Sequence, residues 1–188
     1  GGSPRVSWTS NDAADGHSCG HGYDARMSSP PLLDFPPSLR AAGTSHGVFE
    51  PAVSLAQLPP GAMVRFTRGD LDVLLAHTDA GIVATDDRCP HMSAPFSAGR
   101  LDGCVVHCPL HRGSFDAATG EVVTFPTTGG LTAKGEYQPT WSPAGASPKP
   151  PLPPDDPKSR ARALTRVRRL RYYPLRVSGE TLEIALPR

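Results

Sequence analysis

Residues 89–116 read CPHMSAPFSAGRLDGCVVHCPLHRGSFD, and the reading of this stretch decides the fold. It holds two short Cys/His pairs, Cys89-Pro90-His91 and Cys108-Pro109-Leu110-His111, with sixteen residues between His91 and Cys108. Each pair offers one thiolate and one imidazole from a tight, proline-containing loop. Two soft sulfurs and two imidazole nitrogens form a ligand set for zinc or for an iron–sulfur cluster. Ligand type alone leaves both open.

Outward from the pairs the chain reads as short strands. Met63-Val64-Arg65-Phe66 alternates as a half-buried strand does, and Arg68-Gly69-Asp70 turns. Leu71 to His77 reads as a central strand. Asp79-Ala80-Gly81 turns it back into Ile82-Val83-Ala84-Thr85, which runs into the first pair. Between the pairs, Gly99 to Gly103 reads as a turn and Cys104 to His107 as a strand. After the second pair, Ser114 to Asp116 leads out, Ala118-Thr119-Gly120 turns, and Glu121 to Phe125 closes a small sheet. At the far end Tyr173, Leu175 and Val177 alternate, Ser178-Gly179-Glu180 turns, and Leu182, Ile184 and Leu186 alternate back. Strands of this length joined by hairpin turns predict an all-β, antiparallel sandwich or barrel. Both Cys/His loops stand at one end, on a small β subdomain.

Composition agrees. Pro (22) and Gly (19) make up about a fifth of the 188 residues, which favours loops and disfavours long helices. The expected organisation is a flexible extension over 1–45 and one domain over 46–188. That domain comprises the Cys/His subdomain at about 86–126, a proline-rich and basic insert at about 127–170 and a closing hairpin at 171–187. In the extension, His17, Cys19 and His21 read as incidental, and Leu32, Leu33 and Phe35 as a strap for a partner or for the domain itself. The insert crowds prolines before a run with seven basic residues in the fourteen of 158–171. Polyproline-like extension is expected before that run. The run itself reads as a solvated face or as a docking patch.

Several function classes drop out. Net charge is +1, so total charge does not suggest nucleic acid. Charge is uneven, however. Residues 149–188 carry ten Lys/Arg against four Asp/Glu, a net of +6, and residues 1–148 carry nine against fourteen, a net of −5. That imbalance points to a basic patch for an acidic partner. No apolar run approaches the length of a membrane span. There is no glycine-rich phosphate loop, and Ser93 and Ser114 have no free general base beside them. Four cysteines (Cys19, Cys89, Cys104, Cys108) are few for a disulfide scaffold of this size. Metal binding in a reducing compartment, cytoplasmic or organellar, is the expectation for a soluble protein of this kind. Cys104, His107, His77 and His46 read as structural.

The pairs C-x-H and C-x-x-H at this separation, with Gly99, Leu101, Phe115, Asp116, Thr119 and Gly120, closely resemble the Rieske iron–sulfur signature. The likeness takes in the upstream strands from about Val53 and the terminal hairpin. It omits the N-terminal extension and the long 126–170 connection. The resemblance implies a [2Fe–2S] cluster, with Cys89 and Cys108 on one iron and His91 and His111 on the other, nearer solvent. Neutral imidazoles in place of two thiolates remove negative charge and ease reduction. Members of the respiratory type carry an extra disulfide between the loops and two hydroxyl donors to the sulfurs. The matching positions here are Ala94, Leu110, Gly113 and Phe115. Fewer donors leave the reduced cluster less stabilised, which implies a low-potential member, at roughly −150 mV.

The expected function is a one-electron carrier, itself no enzyme, passing electrons from a reductase to an oxygenase-type dioxygenase component. The alternative is a Rieske-type accessory subunit of a larger redox or organellar assembly, anchored by its extensions. A complete Rieske oxygenase is not expected: no histidine follows His111 to help hold the mononuclear iron such enzymes carry in a later domain.

Overall fold

The computed structural model describes residues 29–44, 47–148, 150 and 152–187. Among the described residues the strands are β1 (Phe49–Ser54), β2 (Met63–Arg68), β3 (Leu71–Thr78), β4 (Gly81–Asp86), β5 (Arg100–Asp102), β6 (Val105–His107), β7 (Ser114–Asp116), β8 (Val122–Thr124), β9 (Gly130–Leu131), β10 (Tyr137–Gln138), β11 (Leu175–Ser178) and β12 (Thr181–Ala185). They form antiparallel sheets in the orders β2-β3-β4, β1-β12-β11, β5-β6-β7-β8 and β9-β10. The all-β antiparallel class is thus the observed one.

β3 explains how the sheets are layered. Its side chains alternate between two faces, as the period of a strand requires. Val73 and Leu75 join one apolar cluster with Val64, Ile82, Ala84, Tyr173, Leu182 and Ile184. Leu74 and Ala76 join another with Met63, Val83, Phe96, Leu101, Val106, Phe115 and Tyr172. The sheet β2-β3-β4 is therefore a middle layer, covered on one side by the β1-β12-β11 sheet and on the other by the β5–β8 subdomain. A strand buried on both faces reads as a continuous apolar run, which Leu71 to Ala76 nearly is.

Three features differ from the sequence reading. Arg100–Asp102 is strand rather than turn, and its register with β6 pairs Leu101 with Val106. Residues 29–44 were expected to belong to the flexible extension. They lie against the domain: Leu32 bridges Ile82, Arg40 bridges Tyr172, and the Phe35 ring stacks on Tyr172 at 3.4 Å and 7°. The strap therefore covers its own domain, because Phe35 and Leu39 find apolar surface there. His17, Cys19, His21 and His46 lie outside the described residues. The insert also contains a helix, α1 (Pro157–Leu164), with Asp156 as its N-cap and Pro157 at its first position. The Asp156 carboxylate accepts from the Lys158 and Ser159 backbone N–H groups.

Candidate metal centre

Both Cys/His loops have the same backbone design. The Cys89 N–H donates to the Ala94 carbonyl and the Cys108 N–H to the Gly113 carbonyl, each at 2.8 Å and each across five residues. The residue before each acceptor is left-handed: Ser93 at φ 59° and Arg112 at φ 56°. These twin turns face the N–H groups of His91 and Met92 toward the Cys89 sulfur, and those of Leu110 and His111 toward the Cys108 sulfur. Backbone donors of this kind favour the thiolate.

Each loop is held from beneath. At the first, the buried Asp87 carboxylate accepts from the Ser97 N–H and hydroxyl at 2.6 Å each and from Arg65 Nε at 2.5 Å. The chain on both sides of loop one is thereby fastened to β2. Gly99 then passes so close to β6 that a Cβ would lie 2.0 Å from the His107 carbonyl oxygen. Only glycine allows that approach. At the second loop, Gly113 lies against Pro126, and Phe115 packs edge-on against Phe96 at 5.4 Å.

The four candidate residues meet at one end of the subdomain. Cys89 and Cys108 are buried, are not bonded covalently, and share a thiol–thiol hydrogen bond. That bond pushes Cys108 down to about 6, while the same bond and burial push Cys89 up. The His91 and His111 rings stand edge to face with centroids 5.0 Å apart. His91 is 7 % exposed, and burial, with the nearby His111 and Arg162 charges, lowers it to about 4. It is therefore a neutral imidazole near neutral pH, as a metal ligand must be. Its Nε2 meets the Thr128 hydroxyl at 3.0 Å, which leaves Nδ1 for a metal. The Nδ1 atom of His111 is buried as well.

The donors thus come as a sulfur pair and a nitrogen pair. Among the described residues no three His, Cys, Asp or Glu side chains converge as one metal ion would require. A binuclear iron–sulfur cluster, with the sulfur pair at one iron and the nitrogen pair at the other, would fit this division.

A third loop closes over the pairs, and it was invisible in the sequence. The Thr127 N–H donates to the His111 carbonyl at 2.9 Å, and the Trp141 indole donates to the Phe125 carbonyl at 2.9 Å. Thr128, Asp87, Arg65 and Ser97 carry no signal by spacing, since their partners lie 10 to 37 residues away. Cys104 sits at the β5–β6 turn rather than in a strand and is buried. His77 is buried with Nδ1 at 2.9 Å from the Leu58 carbonyl, a structural role. Among the described residues no helix is long and apolar enough to cross a membrane.

Comparison with known proteins gives a consistent outcome. The Rieske [2Fe-2S] domain family model matches residues 49–136. The ferredoxin component of the naphthalene 1,2-dioxygenase system of Pseudomonas aeruginosa is 38% identical over 77 residues, 41% of this chain and 74% of that protein. The 3-phenylpropionate/cinnamic acid dioxygenase ferredoxin subunit of Photorhabdus laumondii is 40% identical over 76 residues, 40% of this chain and 71% of that protein. Among solved structures, the Sphingomonas yanoikuyae B1 ferredoxin aligns with a TM-score of 0.49 and 20% identity, over 74% of this chain and all of that one (100%).

Proposed function

Since this chain belongs to the Rieske [2Fe–2S] ferredoxin family, we propose that Cys89, His91, Cys108 and His111 hold its cluster and that it carries single electrons from a reductase to an oxygenase-type partner. The pairing of two buried sulfurs and two imidazoles at one end of the subdomain carries this reading. The cluster supplies reversible uptake of one electron. The chain supplies the rest. Backbone N–H groups hold negative charge on the thiolates, Thr128 fixes the orientation of His91, and the apolar walls from Phe96 and Phe115 exclude water from the sulfur side. No hydroxyl stands at Gly113 or Phe115, and Phe115 is fully buried in the core. A potential at the low end of the range, roughly −150 mV, follows from that scarcity of donors.

The test is spectroscopic. The purified protein is expected to be brown, with a rhombic paramagnetic signal on one-electron reduction. His91→Ala and His111→Ala should lose that signal, and Cys89→Ser and Cys108→Ser should lose the cluster. An unchanged spectrum in any of the four removes that residue from the ligand set. A midpoint well above zero would refute the low-potential assignment.

A further inference from the structure

The basic insert is not remote from the Cys/His end. Thr128 touches His91, and two residues later Gly130 receives the C-terminal end of α1. A Cβ at Gly130 would lie 2.6 Å from the Thr165 carbonyl oxygen and 3.5 Å from that of Arg162. The Leu131 N–H donates to the Thr165 carbonyl and the Val167 N–H to the Leu131 carbonyl, both at 2.8 Å. These contacts clamp the helix to the loop that covers His91.

The charges gathered there are mostly cationic, Asp155 and Asp156 at the start of α1 being the exceptions. The ligand loops (89–99 and 108–114), the third loop (126–132) and α1 contain no Asp or Glu, and they contain Arg112, Lys158, Arg160 and Arg162. Among the described residues none of these four is tied into an ion pair. Farther along the basic run the pattern changes. Arg169 pairs with Glu121 and donates to the Thr119 carbonyl, and Arg171 donates to the Ser38 carbonyl, so those two hold the fold. Nor does the cluster offset these cations. Two ferric ions, two sulfides and two thiolates sum to zero, and reduction adds one negative charge. On the same end Met92 and Leu110, one from each ligand loop, are 55 % and 58 % exposed. An apolar centre with a cationic rim is the anatomy of a steered, reversible contact.

Resting on the carrier reading above, we propose that this end docks a redox protein through an acidic face, with Met92 and Leu110 at the centre and Arg112, Arg160 and Arg162 on the rim. The field that would steer such a partner also acts on small oxidants, which makes the proposal testable on the holoprotein alone. The dithionite-reduced protein is reoxidised by ferricyanide, an anion, and by tris(phenanthroline)cobalt(III), a cation, in separate salt series. Between roughly 10 mM and 0.5 M salt, where screening becomes nearly complete, the ferricyanide rate should fall about threefold or more and the cobalt rate should rise. Added polyglutamate at low salt should slow ferricyanide, by occupying the rim.

The double variant Arg160→Glu/Arg162→Glu should flatten or reverse both salt slopes. Arg176→Glu in β11 should leave them steep. A ferricyanide rate that ignores salt or rises with it overturns the proposal. So does an equal response to Arg176→Glu, which would mean that only net charge is sensed. A dimer forming at low salt and dissolving at high salt would assign the face to a second copy and overturn it too. Failure of the carrier reading is separately visible, since protein without a cluster has no colour to follow.

Discussion

Asp87 shows what a single side chain contributes to the site. It is fully buried and accepts three hydrogen bonds, from two residues that lie 22 positions upstream and 10 downstream. Asp87→Ala leaves the Ser97 N–H and hydroxyl and the part-exposed Arg65 without their acceptor. A loss of about 2–4 kcal/mol in urea unfolding is expected, together with poor cluster loading. His91 makes a pH prediction. In cluster-free protein its folded value, about 4, lies below the ordinary 6.5 of an unfolded chain. Between those limits the unfolded chain binds a proton that the folded chain refuses, so stability rises with pH across that window. Urea midpoints of the cluster-free protein at several acidities should show this slope, and His91→Asn should reduce it. At this scale the four Cys and His residues were legible because residue type and close spacing are local. Asp87 and Thr128 were not, because nothing near an aspartate or a threonine in the sequence announces a partner brought up by the fold.

Elements extend the same lesson. The ligand loops are twins in hydrogen bonding, although one has C-x-H and the other C-x-x-H. The shared left-handed residue is Ser93 in one and Arg112 in the other, neither of them the glycine that would have marked the position. Ser93→Val should cost about 1–2 kcal/mol and Ser93→Gly little or nothing, read as a difference in thermal midpoint between the two variants. Strand β2 was readable from alternation, and β3 and β4 as apolar runs between turns. α1 was not read, yet its start was written in Asp156-Pro157, an N-cap followed by proline. The helix lacks an apolar stripe, since none of its residues is buried, and periodicity therefore gave no sign of it.

On the scale of the molecule, the all-β class and the position of the loops at one end were legible, and the coverage of that end was not. The closing segments come from distant parts of the chain. Residues 29–44 lie along the middle layer, and the insert folds back over His91 and His111. Such returns depend on tertiary fit, which neither composition nor local pattern encodes.

The double-sided burial of β3 has a kinetic and thermodynamic consequence. Val73 and Leu75 belong to one apolar cluster while Leu74 and Ala76 belong to the other, so this single strand is common to both. Peeling the Cys/His subdomain away would expose one face of a strand whose other face still holds the second core together. Partial opening is therefore costly, and melting should be cooperative. In a urea titration, bleaching of the visible bands, loss of far-ultraviolet dichroism and tryptophan emission should share one midpoint. Separated midpoints would mean that the two cores melt independently.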